Sequence, residues 1–171
     1  INGVSSVSFA GWYPESGSTT MVSMLDNPLN KEEKLQLNEI VADFDFAKTI
    51  GLQIQWGRLL QQDYGTDRYD QDSAMKMDKD EYIAYKNNQP VLITASTAKQ
   101  LGVKQMNATI QGVGYKPVGI LKDFHRESLF QALSPTMIFA DDNIDYSNLF
   151  IRINPENSRG IVQKIHSAWQ K

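Results

Sequence analysis

Asp123, His125 and Ser128 are the three residue types of a hydrolytic triad, and they lie within six positions of the chain. In such a triad the serine is the nucleophile, the histidine is its base, and a buried acid orients the histidine. The side chains must therefore converge in space. Neighbours at the end of one strand mostly point in different directions, so this spacing argues against catalysis. We expect Asp123 instead to organise a corner by accepting hydrogen bonds from nearby backbone.

Two other motifs carry little chemistry. Gly112-Val-Gly114 is a fragment of a dinucleotide-binding fingerprint without its third glycine or a following helix, so we expect a hairpin. His125 and His166 have no partner at the spacing of metal ligands, and His166 is expected on a helix surface.

Trp12 and Tyr13 would form either an exposed loop tip or a packed loop anchor, and we favour the anchor.

Residues 61–89 are polar and acidic. They contain three lysines, few aliphatic residues and the acids Asp63, Asp67, Asp70, Asp72, Asp78, Asp80 and Glu81. A calcium loop is one interpretation, but the spacing fits no EF-hand and no glycine follows Asp67 to make the turn. We expect a long, solvated and partly mobile insertion, in which residues 82–85 form a small helix over an edge.

Composition bounds the class of protein. The chain of 171 residues is long enough to bury about 70 % of its unfolded surface, so it needs no disulfide or metal to fold. It has no cysteine, which excludes disulfide scaffolds, thiol nucleophiles and cysteine-based zinc sites. A formal charge of −3 with interspersed signs argues against a nucleic-acid surface. We expect no metal and no cofactor.

The first half of the chain predicts alternating strands and short helices. Residues 5–10 and 35–42 have the composition of strands, and alternation from Leu52 to Trp56 predicts a half-buried third strand. Between the last two, Asp43 is a candidate N-cap of a short helix that ends at Gly51.

The second half repeats this organisation. Strands are expected at 90–94, 108–113, 117–122, 137–140 and 149–153, with entry to the fourth through Pro135. A short helix capped by Thr94 or Ser96 would end at Gly102. A C-terminal helix carries the stripe Ile161, Val162, Ile165, Ala168 and Trp169, and starts either at Asn154-Pro155 or at Ser158.

The expected fold class is therefore α+β, with a mixed sheet, short crossover helices, split βαβ-like units and a C-terminal helix. We expect residues 1–171 to form one domain, or two subdomains, with the long polar insertion at about 61–89.

Four blocks in this order resemble the MacB-like periplasmic core domain of FtsX-like ABC transporter permeases of the Bacteroides type. The first is the opening Ile1-Asn-Gly-Val-Ser-Ser-Val-Ser8. The second runs from Asp43 through Leu52 to Gly57-Arg58, and the third from Pro90 to Leu101-Gly102. The fourth is Val118-Gly-Ile-Leu-Lys-Asp-Phe-His125 with Ser134-Pro135. Thr94 stands where the family usually has asparagine, and a proline-isoleucine-glycine-lysine element is not visible between residues 102 and 118.

The resemblance implies a non-catalytic domain on the periplasmic side of the bacterial inner membrane. It implies Gly57, Arg58, Gly102, Asp123, Phe124 and Pro135 as structural markers, without catalytic residues. The implied partners are the rest of the permease, a cytoplasmic ATPase subunit, a second permease copy, and a cargo or envelope protein. A transporter role in efflux or signalling would follow.

Two alternatives stay open, a secreted binding or adhesion module and an envelope hydrolase that uses Asp123, His125 and Ser128. The chain begins with Ile1 and shows no apolar run of transmembrane length. On the permease interpretation, we expect the full gene to encode one transmembrane helix before Ile1 and about three after Lys171.

Overall fold

The computed structural model of the protein describes residues 1–13, 21–30, 32–125, 133–141 and 148–170. Within these residues one sheet contains the strands β1 (Val4–Ala10), β2 (Met21–Asp26), β3 (Lys34–Ala42), β4 (Ile54–Gly57), β5 (Pro90–Thr94), β6 (Lys116–Leu121), β7 (Thr136–Ala140) and β8 (Asn148–Ile153). The helices are α1 (Phe46–Ile50), α2 (Gln71–Ala74), α3 (Lys79–Asn88), α4 (Ala95–Gln100) and α5 (Ser158–Trp169). Short 3-10 turns occupy Gly65–Asp67 and Pro155–Asn157.

The sheet is mixed, as the sequence predicts. Its strand order is β4-β6-β5-β7-β3-β1-β8, and β2 also pairs with β3. The pairs β3–β7 and β5–β6 are parallel, and the other neighbouring pairs are antiparallel. Helix α4 lies in the crossover between β5 and β6. The α+β class with a crossover helix and a C-terminal helix is therefore confirmed.

Strand β3 organises the middle of this sheet. On one side its C-terminal half pairs with β7, from Asn38 opposite Thr136 onward. On the other side it pairs with β2 and meets β1 only where Ala42 lies opposite Ala10. Strand β1 continues past the end of β3 and pairs along its length with β8. The outermost described strands in the sequence are therefore neighbours in space.

Both faces of the central strands are buried, because apolar residues alternate between the two sides of the sheet. In β3, Leu37 and Val41 join one core while Ile40 and Ala42 join the other. The same alternation in β5 and β7 explains why these strands read as uninterrupted apolar runs. Helix α1 covers one face of the sheet. Residues of the 61–89 segment and of α4 cover the other face.

Local signals place most helix ends correctly. Gly51 ends α1 with φ 80° and Gly102 follows α4 with φ 63°, so both cap glycines are confirmed. Of the two candidate caps for α4, the structure uses Thr94, whose side chain accepts from the Thr97 N–H. The prediction that Asp43 caps α1 is wrong, because the N-cap is Asp45.

Asp43 instead joins β1 to the start of α1. Its carboxylate accepts from the Ser8 hydroxyl at 2.7 Å, the Phe9 N–H at 2.8 Å and the Asp45 N–H at 3.1 Å. These bonds hold the carboxylate two residues before the N-cap Asp45.

Two strand predictions need correction, and one strand was not predicted. Residues 108–113 form turns with a single bridge between Ile110 and Gly114, because the left-handed backbone at Asn107 and Gly112 interrupts an extended chain. Strand β4 exists, but its four residues are exposed where a half-buried strand was expected, because β4 is an edge. Strand β2 was not predicted, and Val22 and Met24 of that strand face solvent instead of a core.

The segment 61–89 packs on the sheet more closely than its composition suggests. Asp67, Tyr69 and Ala74 are buried, and Tyr82 and Tyr85 pack against the core from α3, which contains the small helix expected at 82–85. The expectation of a solvated segment is wrong at these positions, because tyrosines supply the buried surface that aliphatic residues supply elsewhere. Its mobility stays a prediction, as does the single domain spanning residues 1–171.

The two candidate starts of the C-terminal helix are both used. The Asn154 side chain accepts from the Glu156 N–H at 3.0 Å and begins a 3-10 turn, with Pro155 in its first turn. The α-helical part then begins at Ser158. Among the described residues, no helix combines the length and the apolar character that crossing a bilayer requires.

Candidate functional site

The N-terminus of α4 gathers the ends of three strands. Strand β5 runs directly into α4, and Asp123 lies just after β6. The Asp123 carboxylate accepts from the Ser96 N–H at 2.9 Å, which satisfies one of the N–H groups that a helix start leaves unpaired. Asp123 was expected to bond backbone of its own corner. It bonds a neighbouring element instead, and so ties the end of β6 to α4.

Two threonines attach β7 to the same place. Thr97 is fully buried, and its hydroxyl accepts from the Thr136 N–H at 2.7 Å and donates to the Thr136 carbonyl at 3.1 Å. The Thr94 hydroxyl lies 2.7 Å from the Thr97 hydroxyl. The pairing of β7 with β5 ends at Met137, and on this side of β7 the Thr97 side chain bonds the backbone of Thr136 in place of a strand. Sequence reasoning missed Thr97, although its position three residues after the Thr94 cap was a usable signal.

Pro135 marks the entry to β7, as predicted. Its carbonyl accepts both from the Asn38 N–H at 2.9 Å and from the Asn38 side-chain amide at 3.0 Å. A proline has no N–H of its own, so it fits a strand start where only its carbonyl is required.

Gly57 ends β4 at a position that only glycine fits. Its φ is 83°, and a Cβ there would lie 2.3 Å from the Val118 carbonyl oxygen of β6. The next residue donates its N–H to that same oxygen at 3.0 Å. The close approach turns the chain so that the Arg58 side chain points toward the 61–89 segment.

Arg58 and Asp67 form a two-pronged ion pair. Nη2 of Arg58 donates to Oδ1 of Asp67 at 2.9 Å, and Nη1 donates to Oδ2. Oδ2 also accepts from the Gln61 N–H at 3.0 Å. The hydrogen bond to Asp67 raises the pKa of Arg58 further above its ordinary value. This pair fixes the start of the 61–89 segment to the end of β4, and no periodic signal in the sequence identified Asp67 as the partner.

Trp12 anchors its loop, so the favoured interpretation is confirmed for Trp12 but wrong for Tyr13. Trp12 is buried, with its ring centroid 6.2 Å from those of Phe46 and Phe124 and 6.4 Å from that of Phe150. Tyr13 beside it is exposed. Phe124 therefore packs in this aromatic cluster, one residue after the Asp123 bond to α4.

Gly102 lies against the turn between β2 and β3. A Cβ at Gly102 would lie 2.7 Å from Cδ2 of Leu29. A groove of about 310 Å³ runs beside this contact, lined by residues 28–29, 101–105 and 108–111, none of which is an acid or a histidine.

The residues of the candidate triad are placed as follows. Asp123 and His125 are exposed, and one carboxylate oxygen of Asp123 accepts from the Ser96 N–H. The acid of a triad is instead buried and faces its histidine. Ser128 lies outside the described residues. His166 is exposed on α5, as expected. Within the described part of the chain, no group of three or more potential ligand side chains is placed to hold a metal ion.

A buried polar cluster lies between α3 and the sheet. The Ser23 hydroxyl donates to the buried Glu39 carboxylate, and burial raises the pKa of Glu39 above its ordinary value. Burial also lowers the pKa of Lys86, whose ammonium lies 4.8 Å from the ring centroid of Tyr115. Tyr115 has φ 65°, a conformation that a buried aromatic residue rarely adopts, and its N–H donates to the Lys86 carbonyl at 2.9 Å.

Within residues 1–13, 21–30, 32–125, 133–141 and 148–170, the contacts described above fasten elements to one another and assemble no catalytic group. The ion pair, the threonines and the aromatic cluster each join one element to another. Gly57 and Arg58 lie at one end of the β4–β6 pair and Asp123 at the other, since Gly57 pairs with Gly119 and Ile54 with Leu121.

Solved structures with the same architecture identify the fold. The periplasmic region of MacB from Actinobacillus actinomycetemcomitans aligns over 96 % of this chain and 64 % of its own length, with 12 % identity and a TM-score of 0.50. A domain of a protein assigned as a permease from Porphyromonas gingivalis aligns over 99 % of this chain and 70 % of its own, with 13 % identity and a TM-score of 0.53. This chain has the MacB-like periplasmic fold.

The extracellular domain of the ABC-type transporter YknZ from Gram-positive bacteria aligns at 14 % identity over 96 % of this chain and 71 % of its own, with a TM-score of 0.49. No protein-family model and no curated protein matches the sequence. The chain spans just under two thirds of the length of the MacB region.

Proposed function

We propose that this chain is the extracytoplasmic domain of an ABC transporter permease and that it acts mechanically, without catalysis. The observation that supports this most is the MacB-like fold over nearly the whole chain, shared with a MacB periplasmic region and a permease domain. In this proposal the domain follows the movements of membrane helices that a cytoplasmic ATPase drives. It passes those movements to a cargo or to an envelope partner, in a dimer of permeases.

The internal contacts of the domain suit such a role. A body that transmits movement must keep its elements in fixed relative positions. The Arg58–Asp67 pair, the Thr97–Thr136 bonds and the Asp123–Ser96 bond each join separate elements by directed bonds. The proposed markers Gly57, Arg58, Gly102, Asp123, Phe124 and Pro135 then preserve the rigid shape and do not contact a substrate. The proposal needs no cofactor, metal or nucleic acid.

Selective labelling of cysteines tests the location. The 171 residues contain no cysteine, so Met75→Cys would introduce one exposed thiol and Ala74→Cys one buried thiol at the adjacent position. In a cysteine-free full-length protein, a maleimide that cannot cross the inner membrane should label Met75→Cys in intact cells. The Ala74→Cys control should react only after unfolding. Labelling of Met75→Cys that requires rupture of the inner membrane would overturn the proposal.

Activity measurements test the absence of catalysis. The 171-residue chain should neither bind nor hydrolyse ATP. Ser128→Ala in the full-length protein should complement a deletion strain as well as the unaltered gene does. Ester or peptide hydrolysis that depends on Ser128 would contradict the non-catalytic proposal and favour the envelope hydrolase.

A further inference from the structure

Helix α5 is amphipathic, yet the protein covers little of its apolar stripe. Among its residues only Ile161 is buried, and this side chain lies over Gly3, where a Cβ would meet its Cδ1 at 2.4 Å. Trp169 is 75 % exposed and Val162 is 54 % exposed. The helix thus packs on the rest of the protein through the side of the helix that carries Ile161. The large apolar side chains next to that side are exposed to solvent.

The exposed apolar residues lie together on the helix. At 3.6 residues per turn, Val162 and Trp169 both point roughly 80–100° away from Ile161, and seven positions separate them. Ile165, which is half-buried, lies between this exposed strip and the Ile161 line. The helix can therefore stay seated on Gly3 through Ile161 while Val162 and Trp169 enter a second, apolar surface.

The charges on α5 indicate what kind of surface this is. Residues 158–170 contain Arg159, Lys164 and His166 and no acid, whereas the whole chain carries a formal charge of −3. Arg159 and His166 lie next to the Val162–Trp169 strip on the exposed side, at roughly 140–160° from Ile161 by the same helical geometry. A strongly amphipathic helix with an apolar strip ending in tryptophan and only cationic charges is the pattern of helices that lie in a membrane interface.

We propose that the exposed face of α5 docks on an anionic lipid surface. Trp169 and Val162 would sit at the boundary between headgroups and acyl chains, and Arg159 would bind lipid phosphates. This inference is independent of the transport role, because it follows from the exposure and charge of one helix.

Vesicle flotation tests the docking. The 171-residue chain should float with vesicles of equal parts phosphatidylcholine and phosphatidylglycerol, and about fivefold less with phosphatidylcholine alone, since one cation near an anionic surface contributes about fivefold in binding. Added salt should weaken the binding. Brominated lipids should quench tryptophan fluorescence, and Trp169→Phe should abolish that quenching.

Two matched pairs of variants locate the contact. Trp169→Ala should reduce binding by about tenfold, because it removes a large interfacial side chain. Trp56→Ala should leave binding unchanged, since Trp56 is 60 % exposed on β4, at the other end of the strand order. Arg159→Glu should weaken binding to anionic vesicles more than Lys34→Glu, a charge reversal at the exposed N-terminal end of β3.

Several results would overturn the proposal. These are absent binding to anionic vesicles, equal binding to neutral vesicles, or equal losses for Trp169→Ala and Trp56→Ala. Self-association of the chain in solution that Trp169→Ala abolishes would assign the face of α5 to a second copy instead. None of these results would alter the labelling pattern at Met75, so the two proposals fail separately.

Discussion

Replacing Arg58 by methionine should lower the free energy of unfolding by much more than the partly exposed position of Arg58 suggests. Asp67 is 0 % exposed, and Arg58, at 36 % exposed, supplies both charged hydrogen bonds to it. In Arg58→Met the carboxylate would keep its bond from the Gln61 N–H but lose its counter-charge. Removing one partner of a buried pair costs about 3–5 kcal/mol. We expect about 3 kcal/mol, because water can enter through the partly exposed Arg58 position.

An exposed ion pair of the same chain gives the control. Lys34 and Asp26 are bonded across the β2–β3 hairpin, with side chains 61 % and 71 % exposed. Lys34→Met should therefore cost less than about 1 kcal/mol. Urea unfolding of both variants, with a check that the slopes agree, measures the difference.

A double variant separates loss of the pair from loss of packing. Arg58→Met with Asp67→Asn removes the uncompensated charge and should recover part of the stability lost by Arg58→Met alone. Equal costs for Arg58→Met and Lys34→Met, or a double variant less stable than Arg58→Met, would refute the reasoning that a buried, unpaired carboxylate sets the cost.

Three further outcomes are expected. Gly57→Ala should lower the free energy of unfolding by about 3 kcal/mol, because backbone strain and a clash with the backbone of β6 combine. Gly112→Ala should lower it by about 1 kcal/mol in the same urea titration, because Gly112 has φ 77° but no atom near the position of the added Cβ. Because the pKa of Glu39 is raised in the folded state, its contribution to stability is complete below its unfolded pKa of about 4.5 and is lost as pH rises through the folded pKa. The stability of the wild type relative to Glu39→Gln should thus fall as the pH rises above about 4.5, and a difference that does not change with pH would count against the buried carboxylate. Asp123→Ala should cost about 1 kcal/mol through the lost Ser96 bond, whereas His125→Ala should cost less than about 0.5 kcal/mol, with equal costs contradicting the assignment.

Local rules predicted the parts of the fold that local forces determine. Gly51, Gly102 and Thr94 carry their signals in residue type and in their position beside an apolar run. The strands at 90–94 and 137–140 are apolar throughout, and both lie inside the sheet. The α+β class followed from these elements, while their specific arrangement was suggested by the order of family blocks.

Long-range partners account for what the sequence did not reveal. Arg58 is charged and follows a strand, but nothing in its surroundings distinguishes Asp67 from the other acids of the 61–89 segment. Counting aliphatic residues there underestimated burial, because Tyr69 and Tyr85 bury their rings while the Tyr85 hydroxyl accepts from the Asp70 N–H. Strand β2 was missed because Val22 and Met24 are exposed whereas the polar Ser23 lies on the same side as Leu25, which packs on the core, so the apolar residues of β2 do not mark its inner side.

The pairing of β1 with β8 constrains the order in which the protein acquires its structure. Val4 lies opposite Ile153, so the longest ladder of β1 stays unmade until residues 148–153 have left the ribosome. Contacts that close so large a loop form late and slow folding. Until β8 is made, the backbone edge of β1 that pairs with it is open to chaperones or to wrong strands.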